Sequence, residues 1–343
     1  MAGRSVAAAR PPLTRARRRT VLFVLGGLLL LALFSALLVG TGTDGPIDVL
    51  RALFDTSRDA STSIILFNVR LPRVLLAAGV GGLLAGTGVL FQAIMRNPLA
   101  EPYILGVSNG CAVGAILGML LGLGGLLLPV AAFAGGMVTI GVVLAVARGG
   151  YRENSEGMLL AGVMIGAIGA ALIFLMLHLL GPQLRSALQW MLGDLSGAPI
   201  EAGPVAVACA AAVLFLALPL GGSLNALALG EEEAASLGID ARRLRALLFI
   251  AASMIVGVAV AFCGAIGFIG LVVPHLLRRT FGPDHRLLLP ASVLGGSIFL
   301  VLCDMVARML PTTLGAGAGE LPIGAVTALI GAPVYIAMLR RGR

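Results

Sequence analysis

The sequence predicts an all-α, polytopic membrane protein of about ten transmembrane helices, a single permease domain over residues 1–343. Three observations carry that expectation. Apolar residues make up 59% of the chain and charged residues 12%, against about 25% charged in soluble domains, and the mean hydropathy is +1.04. The apolar residues fall in unbroken runs long enough to cross a bilayer as helices, without the alternation of a membrane barrel. The basic residues are all arginine, with no lysine in the chain, and they gather at the ends of those runs. A net charge of +8 distributed in that way follows the positive-inside rule and points to membrane lipid, with no nucleic-acid partner.

Taken in order, residues 1–20 form a basic, cytoplasmic N-terminus holding Arg4, Arg10, Arg15, Arg17, Arg18 and Arg19. The apolar run Val21–Gly40 is about as long as a bilayer requires and lacks a compelling small-residue cleavage pattern, so it reads as a retained first span rather than a signal peptide. Residues 41–69 are polar and read as a far-side loop with a short amphipathic helix. Arg70 and Arg73 then introduce the second span, Val74–Met95, which carries no charge and is closed by the proline-broken turn Arg96–Pro102. Glycines 79, 81, 82, 86 and 88 thin this helix so that neighbouring backbones can approach it.

The third span opens unusually, on Gly106 and Ser108-Asn109-Gly110, and runs over about Leu105–Leu121. The fourth, Leu126–Ala147, ends at the cytoplasmic Arg148 and Arg152, and the fifth covers Met158–Leu180. Residues 181–194 are too polar to span and contain the single tryptophan, which fits a short interfacial helix. The sixth span is Ala202–Leu220, the seventh Ala246–Cys263, the eighth a short, glycine-broken Gly264–Leu277, the ninth Leu287–Ala307 and the tenth Leu321–Leu339. With both termini cytoplasmic, only Arg51, Arg58, Arg70, Arg73, Arg185 and Arg308 of the 24 arginines lie outside. Spans 2–5 and 7–10 would have opposite orientations, and each contains a small-residue segment ending near a proline, the pattern of an inverted repeat.

The chemistry is constrained by absences in the sequence. A phosphate-binding P-loop requires a lysine, so this chain is not expected to be an enzyme, and ATP and Mg would sit on a partner. The four cysteines are isolated within apolar runs and the three histidines are dispersed, so no metal site is expected. An ion-coupled secondary transporter, the alternative reading, usually keeps carboxylates inside its spans. Here Asp304 is the clear candidate, and Arg308 four residues on supplies a local ion-pair partner.

The polar interruption 221–245 reads either as a docking element or as a solvated loop. Ser223 is placed to cap a first short helix and Gly230 to break it. Glu231, Glu232 and Glu233 suit the N-terminus of a second helix. Ala234, Ala235 and Leu237 supply a small apolar face, and Gly238 a C-cap.

The stretches RLPR (70–73), QAIMRNPLAEPYILGVSNG (92–110), GAIGFIGLVVPHLLR (264–278) and ELPIGAVTALIGAPVYI (320–336) resemble the permease subunits of FecCD-like ABC importers for iron-siderophores, haem and cobalamin, over about residues 20–340. The resemblance implies a homodimer with the pathway on its two-fold axis, in the inner membrane of a bacterium. It implies two ABC ATPase subunits inside, a substrate-binding protein outside, a metal-chelate substrate, and no cofactor held by this chain. A molybdate-type oxyanion importer permease is a second possibility within the same family. Residues 230–238 then correspond to the coupling helix pair that docks in the ATPase. Asn97 and Leu99 correspond to the cytoplasmic gate. Glu156 and Gly157 stand at a second gate, where they depart from the small hydroxyl residues expected. Gln189, Trp190 and Met191 border the pathway entrance, although a lone tryptophan is also an interfacial anchor. Arg70, Arg73 and Arg308 match residues that receive acidic side chains from the binding protein. Pairing with Asp304 alone would account for Arg308.

Overall fold

The protein is seen in a computed structural model that describes residues 14–40, 47, 49, 60–101, 106–148, 155–313 and 320–340. The basic residues Arg4, Arg10, Arg51, Arg58, Arg152, Arg341 and Arg343, most of the expected 41–69 loop and Pro102 lie outside the described residues. Among the described residues every regular element is helical. The first half contains α1 (Arg15–Leu38), α2 (Ala60–Ile65), a π-turn (Leu66–Arg70), α3 (Leu71–Ile94), α4 (Val107–Leu120), α5 (Leu127–Arg148) and α6 (Ser155–Leu177). The second half contains α7 (Leu184–Met191), α8 (Ala202–Ala217), α9 (Gly221–Leu229), α10 (Glu231–Ser236), α11 (Ala241–Cys263), α12 (Ile269–Phe281), α13 (His285–Thr313) and α14 (Ile323–Arg340).

Each of the ten expected spans has a helical counterpart among the described residues. Six are long and apolar enough to span a bilayer: α1, the continuous helix 62–94, α5, α6, α11 and α13. The pair α8 and α9 makes a seventh crossing if its 69° bend is counted as one span. The second span starts well before Val74, because the π-turn joins α2 to α3 without interruption. The eighth segment is not one helix. Residues 264–267 are non-helical, Gly264 and Phe268 adopt positive φ of 68° and 70°, and α12 starts only at Ile269. A chain that leaves the helix there must find other partners for its backbone, since lipid offers none. The Cys263 carbonyl, the last of α11, accepts from the Asp194 N–H.

α3 is the axis of the bundle. From Val74 to Ile94 every residue except Leu75 is buried. Its glycines are where neighbours touch: a methyl at Gly81 would lie 2.2 Å from the Gly296 carbonyl of α13 and one at Gly88 2.2 Å from the Gly270 carbonyl of α12. Packing at that distance favours dispersion without side-chain entropy loss. Ser297 of α13 adds a 2.7 Å bond to the Ala78 carbonyl of α3. The unusual opening of α4 has a similar cause. Gly106 takes φ +80° against the backbones of Gly162 and Gly166 in α6, and the Asn109 amide donates to the Gly166 carbonyl at 2.7 Å.

Candidate functional site

The turn after α3 is built by its own polar atoms. Arg96 takes a left-handed conformation, φ +50°, and the Asn97 N–H reaches back to the Gln92 carbonyl at 3.2 Å, the closure of a left-handed helix end. The Asn97 side-chain oxygen accepts from the Leu99 N–H at 2.9 Å, and its carbonyl accepts from Ala100 at 3.0 Å around Pro98. Of the two expected gate residues, Asn97 therefore shapes the turn while Leu99 is exposed. Glu101 follows, buried in the linker between α3 and α4, with its carboxylate accepting the Phe268 backbone N–H. Burial pushes its carboxyl up to about 7. Sequence reasoning passed over Glu101. The available signal was a carboxylate enclosed between prolines in a linker joining two apolar runs.

A cleft of about 570 Å³ opens beside this turn, lined in part by Arg96, Asn97, Asn225, Leu229, Arg278 and His285. Its walls are tied by polar side chains. The Asn225 amide donates to Asp284 at 2.9 Å, and the Asn225 oxygen lies 2.7 Å from the His285 Nδ1. Arg278 donates to the Gln92 oxygen at 2.7 Å, and the Gln92 amide donates to the Gly270 carbonyl at 3.1 Å. Glu156 and Gly157, expected at a second gate, fall in the first turn of α6.

The segment 221–245 folds as two short helices about Gly230, which is extended and ends α9 as α10 begins, followed by the first turn of α11. Ser223 is not the cap. α9 starts at Gly221 with Leu220 as its N-cap, because the bent chain re-enters helix directly after α8. Glu231, Glu232 and Glu233 do form the first turn of α10, and Gly238, at φ +76°, closes it with its N–H on the Ala235 carbonyl. The expected apolar face is divided. Ala234 is buried, Ala235 is exposed, and Leu237 stands 68% exposed, as bare as Leu229 at the end of α9. Glu231, at the start of α10, pairs its carboxylate with the buried Arg245 of α11.

At the opposite end of α3, Arg70, Arg73 and Arg308 come together, all largely buried. The Arg73 Nη2 lies 2.8 Å from Asp304 and its Nη1 2.7 Å from Glu320. The Arg308 Nε lies 3.0 Å from the other Asp304 oxygen. Arg308 also donates to the Val39 and Ala36 carbonyls, and Arg70 to the Leu37 carbonyl. These carbonyls belong to the C-terminus of α1, where a cation is favoured. Pairing with Asp304 thus accounts for Arg73 as well as Arg308, which sequence reasoning did not anticipate.

A cleft of about 260 Å³ joins this cluster to the short helix α7, with Arg73, Gln189, Asp194 and Glu320 in its walls. Gln189 thus lines a cavity with Arg73. Trp190 is partly buried and packs against two apolar clusters, with Met191 packed against one of them. Its carbonyl approaches Gly264 so closely that a methyl there would lie 1.8 Å away. Of the residues expected at the entrance, Trp190 therefore packs its backbone against the start of the α11–α12 break.

The sequence profile of the FecCD transport family matches residues 28–341. A cobalamin import system permease, BtuC, of Halobacterium salinarum is 41% identical over 82% of this chain and 74% of that protein. The vitamin B12 import system permease BtuC of Salmonella typhi is 41% identical over 94% of this chain and 96% of its own length. Among solved structures, one described as an inward-facing conformation of a transporter of the metal-chelate ABC type matches with TM-score 0.82 and 30% identity, over 94% of this chain and 99% of that one.

Proposed function

The chain belongs to the FecCD transport family as an ABC importer permease, and from that premise we propose that it passes cobalamin, or a closely related metal chelate, through the cytoplasmic membrane. The observation that carries the proposal is the α9–Gly230–α10 module. It presents Leu229 and Leu237 bare to solvent at the end of the bundle that holds the gate turn. Exposed apolar side chains on a short, capped helix suit a groove of an ATPase subunit. ATP hydrolysis then belongs to two such subunits, since no P-loop lysine exists here. This permease makes no covalent bond of its own.

A second copy of the chain completes the pathway on a two-fold axis, and both termini face the cytoplasm with the arginine-rich ends. The ten spans are α1, α3, α4, α5, α6, the bent α8, α11, α12, α13 and α14. An inverted repeat of α3–α6 and α11–α14 is supported by their shared start. Each begins with a long helix of 24 or 23 residues, and the next helix in each is a short one of 14 or 13. Cobalamin is favoured over siderophore, haem or oxyanion by two relatives, both cobalamin (vitamin B12) import permeases at 41% identity, one of which matches over 94% of this chain. Ion coupling is disfavoured because Asp304 is already shared between Arg73 and Arg308. An extracellular binding protein would meet the Arg70, Arg73 and Arg308 cluster, with one of its carboxylates taking the place of Glu320 on Arg73.

The experiment is reconstitution in liposomes with the cognate ATPase and binding protein. Cobalamin-loaded binding protein is expected to stimulate ATP hydrolysis and uptake, and the permease alone to hydrolyse nothing. Stimulation by a ferric siderophore or haem instead would reassign the substrate, and uptake driven by a proton gradient without nucleotide would overturn the ABC reading.

A further inference from the structure

Arg245 lies one turn into α11 and is 3% exposed. Its Nε donates to the Ile94 carbonyl at 3.1 Å, and its Nη2 pairs with the Glu231 carboxylate. Only a guanidinium, with its fork of five donors, bonds two separate elements at such angles from one buried position. A buried cation without partners would be too costly to keep. Both partners are ends. Ile94 is the last residue of α3, and its carbonyl is one of those a helix leaves unpaired at its C-terminus, where positive charge is favoured. Glu231 is the first residue of α10. One turn deeper, Phe249 of α11 meets Phe91 of α3 edge to face with centroids 5.8 Å apart, so the two helices share a stiff contact there.

We infer that Arg245 is a positioning residue that carries displacement of the short helix α10 to the gate turn Met95–Ala100. A push on α10 reaches Glu231, then Arg245, then the Ile94 carbonyl, and the next residue in the chain is the start of the turn. On its other flank α3 is held by Gln92, through Arg278 and the Gly270 carbonyl of α12. Displacement of Arg245 therefore bends the end of α3 against a fixed point rather than moving the whole helix. The inference rests on the reading of residues 230–238 as the ATPase docking element.

The test is amide hydrogen exchange on the full permease–ATPase complex, with and without a non-hydrolysable ATP analogue. In the wild type both α10 and residues 95–100 are expected to change protection when nucleotide binds. In Arg245→Gln, α10 is expected to respond and residues 95–100 to stay as they were. A gate turn that still responds in the variant overturns the inference, as does a wild-type gate turn that is silent while α10 responds. If α10 is silent in the wild type, the docking reading fails and takes the inference with it. Should Arg245→Gln not accumulate, Arg245→Lys keeps the buried charge and loses the double contact. It too is expected to uncouple the turn, and a normal response there overturns the inference.

Discussion

Arg73 of α3 and Asp304 of α13 face each other at 2.8 Å, and the same carboxylate lies 3.0 Å from Arg308. One buried anion therefore separates two cations at the end of α1. Asp304→Asn leaves both guanidinium groups without their shared partner, which is expected to cost about 3 kcal/mol. The measurement is the unfolding midpoint of the purified permease. Asp304→Leu combined with Arg308→Met should recover part of the loss, because it removes charge on both sides.

Glu320 is the more exposed of the two anions on Arg73. If an outside carboxylate must displace it, Glu320→Gln is expected to speed association of the binding protein and Arg73→Gln to slow it and flatten its salt dependence. Surface-immobilised permease and purified binding protein would give both rates. Unchanged rates in the two variants would place docking elsewhere. Charge reversal at Arg70 is a poor test, since its head donates to the Leu37 carbonyl in a buried position.

Leu237→Arg places a charge on the bare side chain that follows α10 while Ala234 keeps that helix packed. Co-purification of the ATPase subunit is expected to be lost, with membrane level and unfolding midpoint unchanged. Normal assembly of this variant would remove the docking role from α10.

Glu101, held up to about 7 by burial, makes stability depend on pH in a defined direction. The folded chain binds a proton there that the unfolded chain has already released above about 4.5, so the fold is favoured most below that pH and loses this contribution as pH rises through about 7. The unfolding midpoint should therefore fall between pH 5 and pH 8, and Glu101→Gln should reduce the slope. An identical slope in the variant would assign the dependence to other groups.

Gly81 and Gly26 make a paired test of backbone approach. A methyl at Gly81 meets the Gly296 carbonyl, whereas one at Gly26 has nothing within 4 Å. Gly81→Ala is expected to lower stability by about 1–3 kcal/mol through overpacking, and Gly26→Ala to leave it unchanged or raise it slightly. Equal midpoints for the two would mean that α3 and α13 separate easily.

The sequence by itself determined the solvent, the helical class, the approximate place of each apolar segment and the two-helix form of residues 221–238. All of these follow from properties local along the chain, namely run length, charge position and the conformational preferences of glycine at 230 and 238. The interhelical glycines of α3 were legible too, because small residues serve there whichever neighbour arrives. Only the tertiary structure decided which side chains meet. Arg245 and Ile94 are remote in sequence, and so are Arg73 and Asp304, and no periodicity reports such a contact. The same cause explains the expectations that needed correction. Ser223 resembles a cap until the bend after α8 starts the helix earlier. The eighth segment resembles a helix until Glu101 and Asp194, from other parts of the chain, supply the hydrogen bonds that let its backbone leave helix inside the bundle. Hydrocarbon length is written in one dimension, whereas the pairing of buried polar groups is settled only when the helices pack.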